Sequence, residues 1–212
     1  MTKKRIAVLV SGGGTNLQAL IDAQGRGEIP SGEIVLVVSS EPDAYALTRA
    51  EKAGIPTMTI VRRGKKRETF TRLLCKALDD AHIDLVVFAG FMVILSPMFF
   101  EKFENRAINV HPALIPSFCG EGFYGLHVHE QALAYGVKLT GATVHFANAV
   151  TDGGPIILQK AVPIEENDTP ETLQRRVMEQ CEWQLLPRAV RLFCDGRLQV
   201  GGRIVRIKEE EA

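Results

Sequence analysis

Residues 5–20 read RIAVLVSGGGTNLQAL, and this stretch decides the fold class of the chain. The uninterrupted apolar run RIAVLV leads into three glycines, and a predicted helix begins near Thr15 and Asn16. A continuous apolar strand is typical of a parallel sheet that is covered by helices on both faces. The stretch therefore predicts the first strand–turn–helix unit of an α/β protein.

The same strand–helix rhythm continues toward the middle of the chain. Further Val- and Ile-rich runs predict strands at 33–40, 57–61, 84–90 and 107–110, and helices are predicted at 16–25, 43–53, 67–82 and 96–104. Such alternation implies right-handed crossovers between parallel strands. The predicted fold is α/β, with a doubly wound, mostly parallel, Rossmann-like sheet.

The pattern changes after His111. Residues 141–147 and 155–164 predict neighbouring antiparallel strands joined by NAVTDGG, and a long helix is predicted at 169–193. A terminal hairpin is predicted at 196–207, with its turn at Gly201-Gly202, followed by a solvated tail, KEEEA, at 208–212.

Composition limits the function classes. The 212 residues carry 25 Lys and Arg against 25 Asp and Glu, and this balance argues against a general nucleic-acid binder. The four cysteines, at 75, 119, 181 and 194, form no C-x-x-C pair, which indicates a reducing compartment. The apolar run near the N-terminus is too short for a signal peptide or a membrane span. The expected location is cytoplasmic.

The glycine turn places backbone N–H groups and the positive end of a helix dipole at one point, which attracts an anion such as phosphate. A dinucleotide fingerprint would need glycine where Leu17 stands, and an acidic residue at the end of the second strand, which closes with serines. The loop therefore suits a single phosphate. A tight turn without a ligand is the alternative.

A second candidate site lies at the end of the fifth predicted strand. Asn109 and His111 are two residues apart, so they point to the same side of an extended strand. A carboxamide beside an imidazole can stabilise a developing oxyanion, as acyl transfer requires. Asp152, in a glycine-rich loop, is the best candidate for a carboxylate that orients the imidazole and favours its protonated form. A structural histidine and a plain Asp-Gly-Gly turn are the alternatives.

Five motifs decide between these alternatives by resemblance. VSGGGTNLQAL, VVFAGFMVILSP, INVHPALIPSF, TGATVHF and DGGPIILQ, in this order and spacing, closely resemble the phosphoribosylglycinamide formyltransferase family of folate-dependent enzymes. The similarity runs from residue 5 to about residue 193. It implies the formyltransferase fold and transfer of a formyl group from 10-formyltetrahydrofolate to the amine of glycinamide ribonucleotide, a step of purine biosynthesis.

The resemblance also implies roles for individual residues. Catalysis is expected from Asn109, His111 and Asp152, and the ribonucleotide is expected to contact Gly14, Thr15, Asn16 and Glu182. The folate site is expected to comprise Arg67, Met92, Val93, Ile94, Leu95, Asn109, Asn148, Ala149, Val150, Thr151 and Asp152. No metal is expected.

The chain departs from the family pattern at several positions. Many members carry arginine where Val93 stands, and the segment after Pro116 is several residues longer than usual. The segment that precedes the substrate-binding glutamate is one residue longer, so Glu179 competes with Glu182. His127 and His129 form an H-x-H pair without an obvious third metal ligand, and His129 is expected to open a helix. His145 and His82 are interpreted as structural.

We expect one formyltransferase domain over residues 1–212, with a phosphate-binding half at 1–105 and a catalytic, folate-binding half at 106–212. The expected partners are the two small-molecule substrates, without nucleic acid or membrane, in a monomer or weak homodimer. One alternative is another formyltetrahydrofolate-using formyltransferase or hydrolase of the same fold. A second is a non-catalytic nucleotide-binding module built on the glycine loop, which would not need Asn109 or Asp152.

Overall fold

The computed structural model describes residues 2–209, and their strands form one nine-stranded sheet. The strand order across the sheet is β3-β2-β1-β4-β5-β6-β7-β9-β8. The strands are β1 (Lys4–Val10), β2 (Gly32–Ser39), β3 (Thr57–Thr59), β4 (Leu85–Phe88), β5 (Ala107–His111), β6 (Leu139–Phe146), β7 (Ile156–Pro163), β8 (Leu198–Gly201) and β9 (Ile204–Ile207).

Helices connect the parallel strands and cover both faces of the sheet. They are α1 (Thr15–Gly25), α2 (Tyr45–Lys52), α3 (Arg67–Asp80), α4 (Pro97–Lys102), α5 (Leu126–Tyr135), α6 (Pro170–Val177) and α7 (Trp183–Cys194). A π-helical turn, Met178–Glu182, joins α6 to α7.

The strands β1 to β5 are parallel. Apart from the short edge strand β3, their side chains are mostly buried on both faces, as the continuous apolar runs predict. Along β1, Ile6 and Val8 enter one core cluster, whereas Ala7 and Leu9 enter the other. All four of these side chains are fully buried. The chain adds β2 and β3 on one side of β1 and then returns to add β4 on the other. The loop after β1 therefore lies at the switch point of the sheet, where ligands bind in open α/β folds.

The sheet becomes antiparallel where β6 pairs with β5. This pairing sets Asn109 opposite His145 and His111 opposite Thr143. Directly opposite residues share a face of the sheet and lie within contact distance of each other. The register of β5 against β6 therefore decides which side chains surround the Asn-Val-His step.

The predicted α/β architecture is confirmed, with differences at individual elements. The helix predicted at 169–193 is interrupted by the π turn. The backbone hydrogen bonds of this turn span one residue more than those of a regular α-helix. The helix that His129 was expected to open begins three residues earlier, since Gly125 has a positive φ of 56° and ends the preceding loop.

Two expectations near the C-terminus change in detail. The terminal hairpin turns at Gly202 and Arg203, one residue later than predicted. Of the predicted solvated tail, residues 210–212 lie outside the described residues. Among residues 2–209, the helices are all too short or too polar to cross a bilayer.

The hydroxyl of Thr143 fixes the segment that leaves β5. It donates to the carbonyl of Ala113 at 2.7 Å and accepts from the amide of Ile115 at 3.1 Å and from Gln159 Nε2 at 2.9 Å. Thr143 is fully buried, so water cannot replace these bonds. The hydroxyl thereby ties the Pro112–Pro116 segment to both β6 and β7.

We expect Thr143→Val to lower the free energy of unfolding by about 2 kcal/mol, because the isosteric valine leaves buried polar groups without partners. Urea denaturation followed by circular dichroism measures the change. Thr59→Val on the exposed edge of β3 is the matched control and should alter stability by less than about 0.5 kcal/mol. Equal effects of the two substitutions would contradict this role of Thr143.

Candidate active site

A cleft of about 650 Å³ opens at the carboxyl ends of β1, β4 and β5. One wall is the segment that follows β4, the floor is the end of β5, and the far end is formed by α6 and the π turn. Most of the residues expected at the site line this cleft, namely Asn16, Met92, Val93, Ile94, Leu95, Asn109, His111, Asn148, Ala149, Val150, Thr151, Asp152 and Glu182.

Asn109, His145 and Asp152 form a connected polar group at the floor of the cleft. His145 Nδ1 donates to the carbonyl of Phe146 at 2.9 Å, so Nε2 is the acceptor whenever this ring is neutral. Asn109 Nδ2 donates to His145 Nε2 at 3.1 Å, and its second contact, with Asp152 Oδ1, is longer at 3.4 Å. One hydrogen of the Asn109 amide is therefore firmly held and the other only weakly.

His111 lies between Asp152 and the loop that follows Pro116. Its Nδ1 is 3.4 Å from Asp152 Oδ2, and its Nε2 donates to the carbonyl of Phe118 at 2.8 Å. The amide of Gly120 donates to the same Asp152 oxygen at 2.9 Å. The longer loop of this chain thus contacts both the imidazole and the carboxylate. The predicted meeting of Asn109, His111 and Asp152 is present in the structure.

Asp152 adopts a strained backbone conformation, with a φ of +54°. Aspartate tolerates this left-handed region better than most residues, but the conformation has to be held by its surroundings. The amide of Gly153 donates to the carbonyl of Val150 at 2.9 Å, and Arg203 on the terminal hairpin donates to the carbonyl of Gly153 at 3.1 Å. These bonds fix the turn that directs the carboxylate into the cleft.

Burial and neighbouring charges act in opposite directions on the pKa values of His111 and Asp152. Burial lowers the pKa of His111, and this effect outweighs the attraction of Asp152 and the bond to Phe118, which raise it. The sequence predicted that the carboxylate favours the protonated imidazole. Asp152 does raise the pKa of His111, but burial lowers it by more. Burial opposes ionisation of Asp152, yet contacts with His145, His111 and the Gly120 amide prevail and lower its pKa.

A second polar pair occupies the far end of the cleft. Asn16 Nδ2 donates to Glu182 Oε2 at 2.7 Å, and Glu182 is only 6% exposed. Burial raises the pKa of Glu182 to about 7, because the Asn16 bond offsets only part of the lost hydration. Glu179, on the same π turn, is exposed and lies outside the cleft lining. Of the two competing glutamates, the cleft therefore contains Glu182.

The glycine loop approaches this pair from β1. Gly14 has a φ of +72°, and a Cβ atom there would lie 2.6 Å from the Cβ of Ala46. Only glycine therefore fits this position without displacing α2. Thr15 Oγ1 lies 3.9 Å from the sulfur of Met178, and Asn16 reaches into the cleft from the first turn of α1.

Of the expected folate residues, all except Arg67 line the cleft. Met92 and Ile94 are 57% and 59% exposed, so they present apolar surface to the open cleft. Arg67 lies in the first turn of α3 beside Glu68 and is not among the lining residues. Its expected folate contact stays a prediction.

The H-x-H pair lies on α5, with its two rings in different environments. His127 is half exposed and contacts Glu130 at 3.1 Å. His129 is fully buried against the cleft, and neither ring nitrogen has a partner among residues 2–209. Burial and the nearby His111 lower the pKa of His129 to about 4. Across the described part of the chain, no group of three or more His, Cys, Asp or Glu side chains is arranged to hold a metal ion.

Sequence reasoning missed three contributors to the site. His145 was interpreted as structural, but its Nε2 orders Asn109 and lies 3.6 Å from Asp152. The backbone contacts of Phe118 and Gly120 depend on loop conformation, which no residue pattern reveals. An available signal for His145 was its position on an antiparallel strand next to the Asn-Val-His strand.

The structure is thus that of an α/β protein whose cleft carries a polar group suited to acyl transfer. A profile of the family described as formyl transferase matches residues 4–190. The chain belongs to the formyl transferase family, among the phosphoribosylglycinamide formyltransferases.

Individual relatives support this membership. The chain is 40% identical to phosphoribosylglycinamide formyltransferase of Haemophilus influenzae, with 93% of this chain and 90% of the relative covered. It is also similar to the crystal structure of glycinamide ribonucleotide transformylase 1 from Symbiobacterium toebii, with a TM-score of 0.91, 43% identity and 98% and 95% coverage of the two chains.

A longer human relative shares the same segment. The chain is 44% identical to the trifunctional purine biosynthetic protein adenosine-3 of Homo sapiens over 98% of its own length. It spans only 20% of that protein.

The raised pKa of Glu182 predicts that the stability difference between Glu182→Gln and the parent protein depends on pH. The folded chain holds the Glu182 proton up to about pH 7, whereas the unfolded chain releases it near the ordinary value of 4.5. Ionisation therefore costs stability progressively as the pH rises through this interval. Glu182→Gln cannot ionise, so it should become more stable than the parent protein by up to about 3 kcal/mol at pH 8, with a much smaller difference at pH 5.

Urea denaturation of both proteins at pH 5 and pH 8 measures this difference, because other titrating groups cancel in the comparison. Glu179→Gln on the same turn is the control and should show no pH-dependent gain. A gain for Glu182→Gln that is equal at both pH values would contradict a shifted Glu182.

Proposed function

We propose that the chain transfers the formyl group of 10-formyltetrahydrofolate to the amine of glycinamide ribonucleotide, a step of purine biosynthesis. The observation that carries the proposal is the convergence of Asn109, His111 and Asp152 at the floor of a cleft that is apolar on one side and polar at its far end. The apolar wall suits a pterin and its aromatic extension. The glycine loop with Asn16 and Glu182 suits a phosphorylated sugar.

The proposed reaction begins with attack of the neutral amine on the formyl carbon. The new C–N bond forms as the carbonyl electron pair moves to oxygen, and the negative charge requires donors. The weakly held second hydrogen of Asn109 Nδ2 is one such donor, since His145 retains the first. The firm contact with His145 would preserve the orientation of the carboxamide while its other hydrogen turns to substrate.

His111 would supply the second donor. Its Nε2 must first exchange the Phe118 carbonyl for substrate, so the loop that follows Pro116 would shift during the cycle. Collapse of the intermediate breaks the bond between the formyl carbon and folate N10. His111 in its protonated form would donate its Nε2 proton to N10, with the Asp152 carboxylate stabilising the imidazolium, and the proton lost by the amine would then restore His111. No proton is gained or lost overall.

Assignments within the chain follow from this proposal. Gly14, Thr15, Asn16 and Glu182 would bind the ribonucleotide, whereas Met92–Leu95, Arg67 and residues 148–152 would bind the folate. One formyltransferase domain would then comprise a phosphate-binding half, 1–105, and a catalytic half, 106–212. The balanced charge fits the absence of nucleic-acid partners. A cytoplasmic location and a monomer or weak homodimer are also part of the proposal.

The decisive assay follows 10-formyltetrahydrofolate spectroscopically with and without glycinamide ribonucleotide. Formyl transfer requires the amine, whereas a hydrolase of the same fold would release formate in its absence. A non-catalytic nucleotide-binding module would consume no folate under either condition. Consumption that depends strictly on the ribonucleotide is the expected outcome.

We expect His111→Ala and Asp152→Asn to lose at least about a hundredfold in turnover, because each removes a donor or orienting group from the transition state. Steady-state formyl transfer measures the loss, and circular dichroism verifies that the variants remain folded. His82→Asn is the control, since this exposed residue has a φ of +50° that asparagine tolerates. Near-normal turnover in either site variant would refute the catalytic assignment.

A further inference from the structure

The glycine loop is held from behind by two donors on α2. The amide of Ala46 donates to the carbonyl of Gly12 at 3.0 Å, and Arg49 Nε donates to the carbonyl of Gly13 at 2.8 Å. Both carbonyls therefore point toward α2. Because the C=O and N–H of a trans peptide point in opposite directions, the amides of Gly13 and Gly14 point away from α2.

These two amides add to the donors at the start of α1. The first-turn amides of a helix lack intrahelical acceptors, and the helix dipole makes this end positive. Successive amides that face one side form an anion-binding concavity. The neighbouring Asn16 lines the cleft and is 9% exposed, and its buried Oδ1 has no hydrogen-bond partner among the described residues. This acceptor requires a donor on the ligand, such as a sugar hydroxyl, whereas the amides suit an anionic group, so a ligand with both a phosphate and hydroxyl groups would complete the site.

Arg49 is itself fixed in place. Its Nη1 donates to Gln18 Oε1 at 3.1 Å, and its guanidinium carbon lies 5.0 Å from the centroid of the Tyr45 ring. The side chain thus connects α2, the glycine loop and α1 through three separate contacts. A guanidinium bond to the Gly13 carbonyl also polarises that peptide, which makes the Gly14 N–H a stronger donor.

We propose that Arg49 is a positioning residue that orients the Gly13–Gly14 peptide for the phosphate of the ribonucleotide. It acts through the peptide group, from the side opposite the cleft. The inference rests on the proposed function for the identity of the phosphorylated substrate. It adds a residue on α2 that determines selectivity for the phosphorylated substrate over the corresponding nucleoside.

The test compares R49M with the parent enzyme on two substrates, glycinamide ribonucleotide and its dephosphorylated nucleoside. We expect R49M to raise KM for the ribonucleotide about 10- to 50-fold, as loss of hydrogen bonding to a charged group commonly does. The kcat, the KM for 10-formyltetrahydrofolate and the kcat/KM for the nucleoside should change by less than about threefold. An equal loss of kcat/KM on both substrates would show a merely structural role and overturn the proposal.

Two further variants complete the comparison. K52M removes a positive charge from the exposed end of the same helix and should leave every constant unchanged. R49K keeps the charge but replaces the planar guanidinium, with its separate Nε and Nη1 donors, by a single nitrogen, so it should recover only part of the lost affinity. Full recovery in R49K would show that charge alone matters and would contradict positioning, and R49K also provides the test if R49M does not fold.

Calorimetric titration with ribose 5-phosphate separates this inference from the proposed reaction. Binding of this probe to the parent protein and at least tenfold weaker binding to R49M would support the role of Arg49 even if no formyl transfer occurs. Unchanged binding in R49M would overturn it even in an active formyltransferase.

Discussion

The pairing of β5 with β6 is the constraint on which the site depends. It places Asn109 opposite His145, and the histidine then holds one hydrogen of the carboxamide. A slip of one residue would turn the side chains of β6 to the other face and remove this contact. The buried Thr143 hydroxyl opposes such a slip, because two hydrogen bonds tie it to the segment beyond His111 and a third ties it to Gln159 on β7. Fold stability and the geometry of the cleft are thus determined by the same strand.

The elements predicted most accurately from sequence are those whose signal is local. Continuous apolar runs identified the parallel strands, since burial on both faces requires such composition, and the spacing of Asn109 and His111 placed both at one strand end. The motif resemblance further placed Asp152 beside them. In contrast, His145 was interpreted as structural because its role depends on cross-strand register, which a single strand does not encode.

Other differences between the sequence-based prediction and the structure also depend on contacts that a single segment does not encode. The π turn at Met178–Glu182 interrupts the helix, and its backbone hydrogen bonds span one residue more than those of an α-helix. This turn gives Glu182, and not Glu179, the buried position beside Asn16. The contacts of Phe118 and Gly120 depend on several glycines with positive φ in the long loop, and many loop conformations satisfy that sequence equally well.

The burial of Glu182 would link the binding of a ligand at this carboxyl group to the release of a proton. Near neutral pH a carboxyl group with a pKa of about 7 is divided between its acid and its anion. A ligand that donates hydrogen bonds to this carboxylate favours the anion and therefore releases part of a proton to the solvent. If the ribonucleotide contacts Glu182 as proposed, heats of binding measured at pH 7 include the ionisation enthalpy of the buffer, so that Tris and phosphate yield different apparent enthalpies for the same association.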